Sequence, residues 1–427
     1  MKNFYLLVFL ILLFNNITRS QTWVEQNSGV PGTALLSVSA SDERNVWICG
    51  VSGTVIKTTN GGTNWVSVGG SPISTTLSLY NIFVIDSTTA LVTGSSNTDT
   101  YVYKTSNGGA NWTQVFTQAN GFIDAIGMGN AQAGFMYGDP VGGRWSLWGT
   151  IDGGITWDSV HFNLPQAGSE TGYNNAFFFD PISQAVWFGT NNTRVYRSTN
   201  LIIWNTQTTT GQLNSYALWF NSPFNGMTGG TAVLSTTNFG ISWGSTPSIL
   251  PGSSNITGIT GMDSSWWVVR QASQIYFTGN NGANWITQYT APSGNYNHIT
   301  KSRGGIPTLY AVRSNGGISK ANDLVGINPN SSKIPKQFNL MQNYPNPFNP
   351  STKIRFEIPS VDQRHAFDVQ IIIHDMLGRE VALLVNKELN PGSYSVTFDG
   401  SNYASGVYYY TIYAGSFTDT KKMMLIK

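Results

Sequence analysis

The sequence predicts an all-β chain, a seven-bladed β-propeller followed by a small antiparallel β-sandwich. Three observations carry this reading. The 427 residues hold 46 glycines, 13% aromatics and only 10% charged residues, against about 25% charged in ordinary soluble domains. One octapeptide recurs at intervals of one propeller blade. After Leu324 the composition shifts, and from Phe338 a new alternating pattern begins.

Composition also excludes several classes. Disorder needs few aromatics and a high net charge, and this chain has neither. Ala, Glu, Lys and Leu do not dominate, so a helical bundle is excluded. With 23 basic and 21 acidic residues the net charge is +2, which leaves no electrostatic footprint for nucleic acid. Cys49 is the only cysteine, so neither an intramolecular disulfide nor a thiolate metal cluster can form. It lies in the apolar run Val46-Trp47-Ile48-Cys49-Gly50 and reads as a small core residue.

Residues 1–20 read as a secretory signal peptide. Lys2 precedes an apolar run from Phe4 to Phe14, and Thr18-Arg19-Ser20 places small residues before a cut at Gln21. The run is too short to span a membrane, and no later segment reaches about 18 consecutive apolar residues. The mature chain is therefore expected to have no transmembrane span.

Residues 21–327 carry the repeat. Its first copy is Thr58-Thr59-Asn60-Gly61-Gly62-Thr63-Asn64-Trp65. Further copies centre on Asn107, Gly109 and Trp112, on Asp152, Gly154 and Trp157, on Asn238, Gly240 and Trp243, and on Asn280, Gly282 and Trp285. The copy from Ser198 through Asn200 to Trp204 is one residue short. A degraded copy ends at Asp323 with no tryptophan after it. Successive Asn/Asp positions are separated by 47, 45, 48, 38, 42 and 43 residues, the length of a four-stranded blade. In the first unit, Leu35–Ala40, Val46–Cys49, Thr54–Lys57 and Trp65–Val68 read as four strands. Glycine closes the second strand at Gly50, Gly94, Gly138, Gly189 and Gly229. The seventh unit lacks a fourth strand, and the segment around Trp23 matches that missing strand. It is expected to close the ring and remove the exposed sheet edges.

The repeated motif resembles the Asp-box (BNR repeat) of sialidase-like and photosystem-assembly-factor-like propellers. Its residues have turn chemistry: a short Asn or Asp side chain accepts backbone N–H groups, and glycine takes a positive φ. The resemblance implies that these corners are structural and lie away from the ligand-binding face.

Residues 328–337 are polar and proline-bearing and read as a linker. In 338–427 the segment Asn343-Tyr344-Pro345-Asn346-Pro347-Phe348-Asn349-Pro350 leads into Lys353–Ile358, which alternates polar and apolar residues. Turn residues include Gly378 and Gly406, and the chain ends through Lys421 and Lys422. This segment resembles the type A C-terminal sorting domain of the type IX secretion system. The resemblance implies a Bacteroidota source, export through the periplasm to the cell surface or medium, and partners in the secretion machinery. It also implies cleavage by a sortase-like peptidase, then release or lipopolysaccharide attachment of the propeller.

Candidate site residues are sparse. Asp139 lies in Gly138-Asp139-Pro140-Val141-Gly142-Gly143-Arg144, between the second and third strands of blade 3. Glu170 lies in the long loop from Phe162 to Asn174. One reading makes Asp139 and Glu170 a carboxylate pair, with Arg144 or Arg194 as an anion contact. The other makes Asp139 a turn residue before proline and Glu170 a solvated loop charge. No arginine triad of the sialidase kind is recognisable. The histidines at 161, 298, 365 and 374 show no ligand spacing, and no Walker, His-Glu-x-x-His or Gly-x-Ser-x-Gly motif occurs. Neither metal nor cofactor is expected. The function expected is a secreted or surface module that binds protein or glycan without catalysis. A glycan hydrolase and an assembly factor for a surface complex are the alternatives.

Overall fold

The computed structural model describes residues 23–426, apart from 97, 181–182, 322–327, 332–334, 336, 360–366, 390 and 401–402. The expected leader and the Asp323 corner lie outside the described residues.

Seven antiparallel sheets follow one another along the chain, six built from consecutive strands and the seventh completed by a strand from the start of the chain. Their first strands are Leu35–Ala40, Ser78–Val84, Ile123–Met128, Phe177–Phe179, Ala217–Phe220, Ile256–Met262 and Tyr296–Lys301. These strands contact one another in succession, and the seventh contacts the first. The sheets therefore form a closed ring of blades around a central channel. Five of the second strands, Val46–Gly50 and Ser265–Arg270 among them, are buried along their whole length, because each blade is covered on both faces by its neighbours.

Blade 3 departs from the four-strand expectation. Its fourth strand is reduced to a single antiparallel bridge between Gly149 and Asp158. The chain then turns back along the hairpin tip, where Trp145 N–H donates to the Leu164 carbonyl at 2.9 Å. Pro165, which has no N–H to give a ladder, sits opposite Arg144. This detour brings the long loop against the hairpin that carries Asp139.

The octapeptide corner repeats one hydrogen-bond scheme. In blade 1 the Thr58 hydroxyl donates to Asn60 Oδ1 at 2.9 Å and accepts the Gly62 N–H at 2.9 Å, while Asn60 Oδ1 accepts the Asn64 N–H at 3.0 Å. Blades 2, 3, 5 and 6 repeat the hydroxyl-to-Gly contact at Gly109, Gly154, Gly240 and Gly282. In the shortened copy Asn200 Oδ1 instead accepts the Ile202 and Ile203 N–H groups. At Asp152 the Thr156 hydroxyl and N–H hold the carboxyl well below its ordinary value. Gly109 has φ +85°, and a Cβ there would lie 2.6 Å from Val68 Cβ. Gly109→Ala is thus expected to cost about 2 kcal/mol through left-handed strain and crowding. Chemical denaturation checks this, and a change below about 0.5 kcal/mol, the size of an ordinary surface substitution, counts against it.

The tryptophan after each corner packs on the preceding blade. Trp112 meets Trp47 edge-on with ring centres 6.2 Å apart, and Trp204 lies 6.0 Å from Phe135. Trp65 meets Tyr310 of blade 7 at 6.4 Å. Trp157, Trp243 and Trp285 join clusters containing Leu91, Ala185 and Ala217. Trp23 fills this position in blade 7, with its ring 6.0 Å from Tyr289 of blade 6.

Trp23–Gln26 is the outer strand of blade 7 and pairs antiparallel with Ile318–Ala321, Trp23 facing Ala321. Its side chains tie three blades together. Trp23 Nε1 donates to Gln288 of blade 6 at 3.0 Å. Glu25 accepts the Ser319 hydroxyl at 2.6 Å and forms an ion pair with Arg313. Gln26 accepts Trp65 Nε1 of blade 1 at 3.0 Å.

The C-terminal strands form two four-stranded sheets around one apolar core that includes Phe356, Ile371 and Tyr410. Asn328–Ser331, read from sequence as linker, is the edge strand of one sheet and pairs with Ser393–Ser395. Asn343 is buried. Its Nδ2 donates to Thr352 Oγ1 at 2.9 Å, and its N–H donates to the Tyr410 hydroxyl at 2.8 Å. The proline-rich segment also pairs with the last strand, where Phe348 N–H donates to the Met424 carbonyl at 2.9 Å. The alternation read in Lys353–Ile358 corresponds to the outward and inward faces of strand Ser351–Ile358.

Candidate binding site on the loop face of the propeller

Strands alternate in direction, so the second-to-third hairpins and the blade-to-blade connections share one face of the ring. The octapeptide corners lie on the other. Asp139, Arg144 and Glu170 all belong to the first face.

Two local features shape that face. The first is the residue that closes each second strand. Blades 1–5 place Gly50, Gly94, Gly138, Gly189 and Gly229 there, and a Cβ at Gly138 would sit 2.1 Å from the Phe122 carbonyl oxygen. Blades 6 and 7 place Arg270 and Arg313 at the equivalent registers. Both are buried. The Arg270 guanidinium donates to the carbonyls of Pro251, Thr231, Ser254 and Leu250. These arginines clamp loops and are not available to a ligand.

The second feature is a bulge near the start of the first strand in five blades. It leaves Leu36, Tyr80, Asp124, Thr257 and Asn297 out of register. Such bulges re-aim a side chain at a sheet rim. Asn175 of blade 4 then laces the mouth, since its Nδ2 donates to the Thr257 carbonyl at 2.7 Å and the Asn297 carbonyl at 2.9 Å.

Asp124 was not singled out in the sequence. It is 1% exposed, and its Oδ2 has no hydrogen-bond partner. Burial, and then the neighbouring Asp139 charge, push its carboxyl well above the ordinary range. Asp139 accepts the Gly172 N–H at 2.7 Å and is also raised, chiefly by burial. The carboxyl that couples to Asp139 is thus Asp124.

Asp124 binds a proton more tightly in the folded chain than in the unfolded one. Its contribution to stability therefore falls as pH rises from its ordinary value through its raised native value, and stays low above it. Asp124→Asn is expected to match the parent near pH 4 and to exceed it at pH 8, by about 1–3 kcal/mol. Thermal melts across that range test this, and a pH-independent difference counts against it.

Glu170 is 0% exposed rather than solvated. Its Oε1 accepts Arg194 Nη1 at 2.8 Å and its Oε2 accepts the Tyr196 hydroxyl at 2.8 Å. Glu170 and Arg194 therefore neutralise each other, which corrects the reading of either as a free ligand group. Arg144 is exposed at the hairpin tip, and no ion pair is formed by it among the described residues. Asp139 and Glu170 both line an open cleft between blades 2 and 3, with Ser95, Ser96, Asn120, Gln166 and Thr171. Among the described residues no group of three or more His, Cys, Asp and Glu side chains could hold a metal ion.

Fold and loop face together define an all-β propeller protein with a separate C-terminal module. Residues 342–427 match the family described as the secretion system C-terminal sorting domain, and the chain carries that domain. Handling by the type IX secretion machinery follows, with export to the cell surface or secretion. Among the described residues no helix is long and apolar enough to cross a membrane.

No curated protein matches the chain. Among solved structures it is similar to YCF48 bound to D1 peptide, with 15% identity and a TM-score of 0.55 over 71% of this chain and 96% of that one. It is similar to YCF48 from Cyanidioschyzon merolae at 16% identity and a TM-score of 0.54, over 70% of this chain and 98% of that one. The WD40 β-propeller domain of Doa1 shares 12% identity at a TM-score of 0.51, over 70% and 97% of the two chains. These likenesses establish the propeller fold.

Proposed function

We propose that the chain is an exported, non-enzymatic binding module that takes a protein segment on the loop face of its propeller. The observation that carries this reading is the fate of the acids. Glu170 is occupied by Arg194 and Tyr196, and Asp139 is held by the Gly172 N–H. A hydrolase of the two-carboxylate kind needs one acid and one base free to face the substrate. What the cleft offers is hydroxyl and amide groups around Asp139 and the already paired Glu170, the adaptable hydrogen-bonding surface on which an extended backbone can dock. YCF48, a propeller of similar fold, has been solved with a peptide bound, which supports the choice of protein over glycan. After export, the sorting domain is removed by a sortase-like peptidase and the propeller acts at the surface or in the medium.

Paired peptide and glycan arrays probed with the full chain test the reading. Saturable binding to peptides, lost in Asp139→Asn and in Ser96→Trp, is the expected result. Binding confined to glycans, or turnover of an aryl glycoside, overturns it.

A further inference from the structure

The central channel differs from the loop-face cleft. Residues from all seven blades line an open cavity of about 160 Å³. Its walls are largely aromatic, with Phe83, Phe177, Phe178, Phe179 and Trp219. Among the described residues no acidic side chain lines it. Two titratable groups do. His298 is pushed down to about 4 by burial, and its Nδ1 accepts the Val38 N–H at 3.1 Å, so it is neutral at pH 7. Arg303 is a guanidinium and keeps its charge.

Arg303 follows the first strand of blade 7 and reaches across to blades 1 and 2. Its Nη1 donates to Ser39 Oγ at 3.1 Å and its Nη2 donates to the Val84 carbonyl. Its guanidinium lies 4.1 Å from the Phe83 ring centre. Every one of these partners is neutral, and among the described residues no carboxylate forms an ion pair with Arg303. This contrasts with Arg194 and Arg313, which each have a glutamate. A guanidinium has five donors in a planar fork, and the three neutral contacts leave donors over. The Asp42 charge favours the cation without an ion pair to it, so the channel combines one guanidinium, held by neutral contacts, with apolar ring surface. That is the recognition chemistry of an amphipathic anion, in which the fork takes a carboxylate and the walls take an apolar body.

We infer that the central channel is a second binding site, for a carboxylate carried on an apolar, ring-bearing group. The group can be a free small acid or the C-terminal residue of a polypeptide, since the chemistry at the guanidinium is the same. The site is separate from the cleft at Asp139, so the two proposals fail independently.

Calorimetric titration of the full chain with 3-phenylpropionate and its primary amide tests the inference. A tripeptide ending in phenylalanine, as free acid and as C-terminal amide, distinguishes the two sources. At least one free acid is expected to bind about tenfold or more tightly than its amide, the scale of one charge-assisted hydrogen bond. Arg303→Gln is expected to abolish that preference. Asn81→Asp provides a second variant, because it adds a negative charge to the same cavity with almost no change of shape. It is expected to weaken the acid and spare the amide. Asp139→Asn is expected to leave channel binding unchanged. Equal affinity for acids and amides, or no binding by either acid, overturns the inference.

Discussion

Replacing Trp23 by alanine is expected to destabilise the propeller by about 3–5 kcal/mol, the usual cost of emptying a buried tryptophan site. Trp23 stacks near Tyr289, donates to Gln288 and belongs to a cluster with Trp267, Val269 and Ala321. The strand it begins is the only link that covers the outer edge of Ile318–Ala321 among the described residues. The loss therefore has two parts, a cavity between blades 6 and 7 and a loosened strand. Loosening would also free Gln26 from Trp65 of blade 1, which couples the substitution to the opposite flank of the seam. Urea unfolding measures the effect. A loss under about 1 kcal/mol, typical of an average substitution, would show that the ring holds without this strand. Trp23→Phe keeps most of the volume but not the Nε1 donor and should lie between the two.

Glu170→Ala is expected to cost about 3 kcal/mol, at the low end for breaking a buried pair, because the Arg194 side chain is one-third exposed and can recover some hydration. The Tyr196 hydroxyl loses its acceptor in a site closed to water. Two further contacts anchor the same loop: Gln166 Nε2 donates to the Glu170 carbonyl at 2.9 Å, and Gly172 N–H donates to Asp139. The damage should therefore spread to the cleft, and hydrogen exchange should rise across residues 162–174. Arg194→Ala should cost more than an exposed ion pair is worth, since it strands a carboxylate with no exposure. If Glu170→Ala unfolds at the parental denaturant concentration while abolishing peptide binding, Glu170 is a ligand group and the structural assignment fails.

The sequence carried the architecture because one corner chemistry is reused. A hydroxyl, an Asn or Asp, a glycine and a tryptophan must recur together for the turn to form and for the indole to reach the preceding blade, so spacing alone counts the sectors. Blade 3 escaped this reading at its outer edge. Its corner is intact, but Pro165 and the returning loop replace the fourth strand, and neither changes the motif. The candidate site was less legible. Asp139 was visible as an acid before proline. Asp124 was not, since a bulge, rather than any local pattern, places it beside Asp139. Glu170 was misjudged as solvated because its burial depends on Arg194 and Tyr196, 24 and 26 residues away. One missed signal was available. Aligning the repeats at the end of the second strand gives glycine five times and then Arg270 and Arg313, and a switch from the smallest residue to a long cation marks a changed local architecture.

The first rung of the propeller waits for the last. Ser319 reaches Glu25 across 294 residues of chain, and contacts of such separation are slow to form because the intervening loop must be ordered first. A polypeptide emerging from its amino end exposes Trp23 early and can seat it only when blade 7 has arrived. Until then its indole and the bare edge of Trp23–Gln26 stay open to other chains. Closure of the circle is therefore a late event, and the interval before it is when this protein most needs to be kept apart from its own copies.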